Sequence, residues 1–490
     1  MSEQNTSAVN STQKTIPSFA DFCVYDAWKS GDEKKDKSFV GIKIEGKEPR
    51  IYFPMGYRPA KPSEDVCKQD FYRLVAVLSD KSLQSYFSEE DLKKSQLDFP
   101  FYAYLSVLQY YLDFGYFVES EMIYKKGFSG KINWPRTIKK IRPQVVKNED
   151  DPNHIRYQVV YLNLITQKTS YREDNLITLV HKFCVKESAQ LIGLLYGVSE
   201  NEVEDSELLF DYELFAEVIQ DKIASTFNDK HLELFQAMLK IVRYLEKKEN
   251  RVEDGNKDEP FFGVNTFAPM WEGMVDKIFG NLPQGVVKDK FNPHCEWDLC
   301  SGVRGYENPN YAMRPDTIMW DGDDKHLYVL DAKYYKFGMT GSATDLPSSG
   351  SICKQIAYAE YVETHWKEIL GVDSIASASL QNDTLPKPIY NAFVLPYCFD
   401  ADNSKLPPDD DFEMRPCKMR FIGHCHGNWK NLDAKPGDVD YRPYHRIAGI
   451  LLDVKSVMQN YGASRDAQKN LAELVKKKLI FPIDNPVIIK

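Results

Sequence analysis

No stretch of the 490 residues approaches the roughly 18 consecutive apolar residues that a membrane-spanning helix needs. The opening residues, MSEQNTSAVNSTQK, have neither the basic nor the apolar region of a secretory leader, so the expectation is a cytoplasmic protein, with no membrane among its partners. Positive charge is not in excess either. A formal net charge of -10 argues against coating nucleic acid by bulk attraction, so any such contact must come from a local basic surface. The 9 cysteines are an odd number spread thinly and lack paired C-x-x-C, which is not the pattern of a small disulfide-stapled domain. No G-x-x-x-x-G-K-[ST] occurs. Gly127 to Lys131 is too short a match, and Lys131 is followed by Ile132, so this chain is not itself a P-loop enzyme. Fixed-period repeats are absent as well.

What is present reads as an ordinary globular chain: 43% hydrophobic, 27% charged and 13% aromatic residues. At roughly 100–200 residues per domain, that length predicts two to four domains. Residues 1–16 are polar and predict a disordered tail. Phe39 to Phe53 alternates around a glycine-containing turn and predicts a hairpin, and Tyr157 to Ile165 predicts a further strand. From Asp174 to about Lys248, Leu232, Phe235, Leu239 and Val242 recur at helical spacing. The charged run KENRVEDGNKDEP then predicts a domain boundary, dividing the chain into 17–250 and 251–490. The first region is mixed, strands before helices. Its run from Met122 to Lys147 has no Asp or Glu, and Lys131, Arg136, Lys139, Lys140 and Arg142 are its candidate contacts to phosphates or to an acidic partner surface, with a solvated loop as the alternative. Tyr102, Tyr104, Tyr110 and Tyr111 predict helix core before a base-stacking platform.

The most informative segment is RPDTIMWDGDDKHLYVLDAKYYKF, Arg314 to Phe337. Thr317 to Trp320 predicts a short strand, Asp321 to His326 a turn, and Leu327 to Leu330 an apolar strand entering Asp331-Ala332-Lys333. Strand side chains alternate faces, so Asp331 and Lys333 share one side. The hairpin returns Asp316 to their neighbourhood. Two carboxylates and an ammonium at one sheet end suit phosphodiester hydrolysis: hard oxygens hold Mg²⁺, for which Mn²⁺ could substitute, and the cation orients or activates a water. A structural ion pair is the alternative. Phe267 to Phe279 predicts a helix with Met270, Met274, Val275, Ile278 and Phe279 inward and Glu272 as a third acid, able to hold a metal-bound water or the lysine. Ser351 to Tyr361 predicts a helix presenting Gln355, Tyr358 and Tyr361, and Ile389 to Leu395 a buried strand. A zinc site from Cys295 and Cys300, or from Cys417 with His424, Cys425 and His426, fits no strong spacing template.

The order of helix with Glu272, then Pro315-Asp316, then the strand into Asp331-Ala332-Lys333, then helix and strand, resembles the core of the PD-(D/E)xK nuclease superfamily. More of the chain carries a narrower resemblance: Phe53-Pro54-Met55-Gly56-Tyr57, Gly130-Lys131-Ile132-Asn133-Trp134-Pro135-Arg136-Thr137-Ile138, Trp271-Glu272, Asp331-Ala332-Lys333-Tyr334-Tyr335 and Lys354-Gln355. Together these resemble the LlaJI restriction endonuclease family, itself similar to the McrC subunit of modification-dependent restriction systems. The resemblance implies an α/β fold, mixed α+β overall: a restriction-endonuclease-like core at 251–490, with a mixed sheet flanked by helices, after the N-terminal recognition region. It implies a bacterial restriction nuclease, type II-like or McrC-like, cutting double-stranded DNA. Asp316, Asp331 and Glu272 would be metal ligands, Lys333, Glu272 and Gln355 catalytic residues, and an McrB-like NTPase a partner whose nucleotide Arg136 could reach. The helix reads Gln355-x-x-Tyr358 where related nucleases have Q-x-x-x-Y. Two other readings stay open: a non-catalytic DNA-binding or scaffold subunit, and a repair or phage-defence nuclease with the same core. The recognition sequence, the cut position and the oligomeric state are not legible.

Overall fold

The computed structural model describes residues 18–29, 39–45, 48–59, 61–95, 97, 99–148, 156–172, 175–205, 211–252, 261–302, 304, 306–307, 313–370, 388–399, 417–435, 438 and 440–480. The tail expected at 1–16 lies outside them, as does much of the charged run expected to form the boundary. The chain divides into two compact units, one from Met1–Asp98 with Glu259–Lys490, the other Phe99–Asp258. The end of the second unit lies close to the expected boundary. The grouping of 17–98 with the residues that follow them does not match the structure, because the first hairpin pairs with a strand far along the chain.

That pairing is explicit in the discontinuous unit. Val40–Glu45 lies between Glu48–Tyr52 and Phe261–Val264, antiparallel to both, and Cys23–Val24 completes the four-stranded sheet. Gly41 faces Gly263 across the ladder, at φ 144°, and a Cβ there would meet the Phe262 carbonyl oxygen at 2.2 Å. Two glycines let the backbones approach where side chains would collide.

The principal sheet of the same unit has five strands in the order Thr317–Asp321, His326–Ala332, Ile389–Tyr397, Arg446–Asp453, Met419–His426. The outer pairs are antiparallel and the inner pairs parallel. Every residue of His326–Ala332 and Ile389–Tyr397 is buried, the pattern of parallel strands covered on both faces. Helix Ser349–Leu370 runs further in both directions than the sequence predicts and packs Tyr358, Ala359 and Val362 against Ile318, Leu327, Val329 and Ile389. Helix Ala268–Phe279 buries all five residues expected to face inward, together with Trp271. The mixed sheet with helices is the expected fold class.

The Phe99–Asp258 unit gathers four longer helices, Phe101–Phe114, Leu176–Ile192, Tyr212–Ser225 and Asp229–Val252. It also has a three-stranded sheet, in which Ile165–Arg172 lies between Glu119–Lys126 and Lys131–Ile132, and a ribbon of Gln144–Asn148 with Arg156–Val160. The single strand expected at Tyr157 to Ile165 is thus two strands in different sheets, interrupted at 161–164. The last helix buries Leu234, Phe235, Met238, Ile241 and Val242, while Leu232 and Leu239 are only half-buried, so its apolar stripe is rotated from the predicted one. The basic run is not a loop. It forms strands and the helix Trp134–Lys140, whose start is capped by Asn133 Oδ1 accepting the Arg136 amide at 3.1 Å. Among the described residues no helix is long and apolar enough to cross a membrane.

Gly41→Val should destabilise the discontinuous unit by about 2 kcal/mol, through the forced backbone clash and the disrupted pairing to Phe261–Val264. Thermal melting monitored by tryptophan fluorescence should fall by several degrees, and an unchanged melt would mean that this ladder is not formed.

Candidate active site

The site starts from the end of strand His326–Ala332. Its interior is Leu327-Tyr-Val-Leu330, apolar and fully buried, and polarity begins only at Asp331. The neighbouring strand Thr317–Asp321 runs antiparallel, with Thr317 opposite Leu330, which brings Asp316 beside the same end. Asp316 Oδ2 accepts the Ala332 amide at 2.9 Å, so this carboxylate also caps the strand end. Lys333 Nζ donates to Asp331 Oδ1 at 2.7 Å and lies 3.7 Å from Asp316 Oδ2. Its backbone amide still pairs with the Val394 carbonyl, so Lys333 remains anchored to the sheet although the strand proper has ended. The expected convergence of Asp316, Asp331 and Lys333 is present.

Glu272 joins them electrostatically from helix Ala268–Phe279. Burial pushes its carboxyl up to about 7, Asp331 adds to the rise, and Lys333 and Lys288 oppose it. Asp316 is likewise held well above the usual carboxylate range, first by burial and then by Asp331 and Glu272, against the pull of Lys333. Burial alone would lower Lys333, but Asp316, Asp331 and Glu272 outweigh it and hold the ammonium above its ordinary value. Three acids therefore crowd one lysine, and the cluster is short of positive charge. That donor set, hard oxygens on a rigid strand end, fits a divalent oxygen-seeking cation such as Mg²⁺.

Gln355, expected to be catalytic, is wholly buried. Its Nε2 donates to the Val329 carbonyl at 2.7 Å and lies 3.4 Å from Asn391 Oδ1, so the structure places it beneath the strand, two residues short of Asp331. One turn later Tyr358 comes closer to the charges. Burial, then Asp331 and Asp316, pushes its phenol up to about 12, and it donates to the Arg314 carbonyl at 3.0 Å.

Sequence reasoning missed Lys288. Its ammonium donates to the Asp316 carbonyl and to Asp276 Oδ2, the latter at 2.9 Å, and Asp276 also accepts the Tyr86 hydroxyl at 2.7 Å. The lysine thus ties the Glu272 helix to the Asp316 turn. No sequence pattern marks it, because it opens the short 3-10 turn Lys288–Phe291 and its contacts are set by tertiary docking. Tyr334 was missed as well: its hydroxyl accepts the Met55 amide at 2.6 Å, holding the Phe53–Tyr57 segment against the residue next to Lys333.

In the other unit Lys131, Arg136, Lys139, Lys140 and Arg142 are all exposed, and the Arg136 guanidinium lies 3.7 Å from the centroid of the Tyr124 ring. Cys295 and Cys300 are exposed, Cys417 is buried and His426 is exposed.

The raised Glu272 carboxyl sets a pH dependence for the metal-free protein. Below about 4.5, its ordinary value, the group is protonated whether folded or unfolded; between there and about 7 only the unfolded chain ionises, so folding stability falls as pH rises. In excess chelator, Glu272→Gln should gain on wild type across that window, by on the order of 3 kcal/mol at the plateau above it. A difference in melting temperature that is independent of pH would contradict this electrostatic picture.

Comparison with curated proteins finds no match. A solved assembly of Thermococcus gammatolerans McrB AAA+ hexamers with bound McrC is similar at 14% identity over 89% of this chain and 82% of that one, but its TM-score of 0.30 is too low to carry an argument. The model of the LlaJI restriction endonuclease family matches residues 39–406, a span that takes in the first hairpin, the basic segment and all four groups of the carboxylate and lysine cluster. The chain belongs to the LlaJI restriction endonuclease family.

Proposed function

We propose that this restriction-family nuclease hydrolyses phosphodiester bonds of double-stranded DNA in a Mg²⁺-dependent reaction at the end of strand His326–Ala332, with a PD-(D/E)xK site. The observation that carries the reading is Lys333 Nζ held at 2.7 Å from Asp331 and 3.7 Å from Asp316, beside a strand end that Asp316 itself caps. Asp316 and Asp331, with Glu272 as accessory acid, would hold the ion. When bound, Mg²⁺ polarises the scissile phosphate and lowers the pKa of a coordinated water. Lys333 stays an ammonium, because the acids around it raise its pKa. Its part is therefore to donate hydrogen bonds, orienting the attacking water and offsetting charge on the phosphate, rather than to remove a proton. Lys288 fixes the Asp316 backbone. Tyr358 sits at the edge of the cluster as a positioning residue.

The Phe99–Asp258 unit is assigned target or partner recognition. Its basic residues are carried on ordered strands and a helix, beside exposed Phe128, Trp134 and Ile138. An NTP-hydrolysing, McrB-like partner is part of the proposal, on the strength of the family resemblance and of a sequence without a P-loop of its own.

Lys333→Ala and Asp331→Asn should each lower plasmid cleavage in Mg²⁺ more than 100-fold while leaving circular dichroism and melting close to wild type. A loss of that size falls in the roughly 10²–10³-fold range seen when one donor is removed from a preorganised site. Nicking above one hundredth of the wild-type rate in either variant would defeat the site assignment. Cleavage is to be assayed with and without the genomically neighbouring NTPase and its nucleotide; efficient cutting by the chain alone would remove the partner from the reading.

Replacing Arg136, Lys139, Lys140 and Arg142 together by Ala should weaken duplex DNA binding and flatten its salt dependence by about 0.9 in log-log slope for each phosphate no longer neutralised. An unchanged slope with weakened NTPase association would assign the surface to the partner.

A further inference from the structure

The hairpin that brings Asp316 and Asp331 together carries a second polar group at its opposite end. Asp321 closes the first strand and His326 opens the second; they are direct register partners across the turn 322–325, and Asp324 lies in that turn. One donor atom from each of the three lies within 4.8 Å of the other two. Acidic turns are common, and the carboxylates alone would mean little. The histidine changes the reading. His326 is only 9% exposed, and its Nδ1 is buried with no hydrogen-bond partner among the described residues. That nitrogen faces Asp324 Oδ2 at 3.8 Å, too far for a hydrogen bond and wide enough for an ion between them. A buried imidazole nitrogen left without a partner and aimed at two carboxylates is placed to take a ligand.

We propose that Asp321, Asp324 and His326 bind one divalent transition-metal ion, separate from the carboxylate and lysine cluster and independent of its nuclease function. One imidazole nitrogen with two carboxylate oxygens favours borderline ions such as Zn²⁺, Co²⁺ or Ni²⁺ over Ca²⁺ or Mg²⁺. The ligands are held in place. The His326 ring stands edge-on to Tyr390, centroids 5.6 Å apart at 71°, and Asp321 Oδ1 accepts the Asp323 amide at 3.2 Å. Three protein ligands leave positions for water, so the site is open to exchange. The nearby cations are partly committed elsewhere: Arg465 and Lys469 pair with Asp323, and Lys476 pairs with Asp324 at 2.8 Å. Lys476 would share Asp324 with the ion or yield to it. An ion here joins the strand residues on either side of the turn and pins the register of the strands whose far ends, about 17 Å away at ~3.4 Å per residue, hold Asp316 and Asp331.

The test is Zn²⁺ binding to the full-length chain after chelator treatment, read as stoichiometry by competition with a chromophoric chelator and as a thermal shift. Asp324→Asn is the primary variant because Asp324 is half-exposed on a turn, so the protein will fold; His326→Gln is the second. Each should lose one equivalent, or bind it at least tenfold more weakly, and lose the Zn²⁺-dependent rise in melting temperature. Asp331→Asn should keep that equivalent. Co²⁺ loading should produce paramagnetically shifted imidazole signals in wild type and none from this site in His326→Gln. Wild-type stoichiometry in Asp324→Asn, loss of the equivalent only in Asp331→Asn, or no Zn²⁺ binding by wild type would each overturn the proposal.

Discussion

One ammonium among three acids governs this structure. Lys333 reaches Asp331 and Asp316 from a strand whose other side chains are almost wholly apolar, and both carboxylates are largely withdrawn from water. Buried carboxylates repel one another, and a single lysine does not neutralise them all. The surrounding fold is arranged to tolerate that. Asp316 accepts a backbone amide, Lys288 binds its carbonyl and reaches across to Asp276, and the Glu272 helix comes close enough that burial and Asp331 raise the pKa of its acid. Geometry is kept although the charge balance is unfavourable, and perturbed groups of this kind cluster at functional sites.

The same constraint explains why a segment near residue 55 belongs with a core that begins two hundred residues later. The Phe53–Tyr57 turn is buried, and its Met55 amide is bonded to the hydroxyl of Tyr334, the residue after Lys333. Gly56, at φ 84°, has Val454 Cγ2 2.9 Å from where a Cβ would stand, so the turn seats closely only with glycine. Phe267 and Trp271, on the segment bearing Glu272, pack against the Tyr334 ring from another side. The strand end that holds the carboxylate and lysine cluster is thus fixed by two segments distant in sequence, and such supporting contacts are what hold a cluster in one geometry. The ladder through Gly41 and Gly263 delivers the first of them.

The hairpin that brings Asp316, Asp331 and Lys333 together was legible because its signals are local. Alternation puts Asp331 and Lys333 on one side, the turn residues fix the reversal, and the antiparallel register then returns Asp316 without further information. Periodicity also found the inward face of helix Ala268–Phe279, yet it says nothing about position along a helix axis. Gln355 and Tyr358 share a face, but axial register decides that the amide meets the Val329 carbonyl under the strand while only the phenol comes near its end. Lys288 was invisible for a different reason: it sits in a short 3-10 turn with no pattern, and its contacts depend on the docking of other elements. The discontinuous unit escaped because strand pairing between residues 40 and 264 leaves no mark in local composition. Composition did place the chain's charge in separate regions, and the net acidity coexists with a basic surface carried on ordered elements rather than on a loop.

Charge in the hairpin is confined to its two ends, and this segregation has a physical cause. Leu327 to Leu330 are buried on both faces, so a charge placed among them would lose its hydration without a partner, at a cost of several kcal/mol. The strand ends are the places where backbone amides, turn atoms and neighbouring loops can share the burden. At the carboxyl end lie Asp331 and Lys333, in line with the tendency of parallel sheets to bind ligands beyond the carboxyl ends of their strands. At the amino end lies His326, opposite Asp321, with cations from the last helix approaching the turn. No charged side chain stands between the two clusters, and substitutions more than about 10 Å apart with no shared partner are close to additive. A single hairpin can therefore carry two independent polar sites, each tuned by its own neighbours.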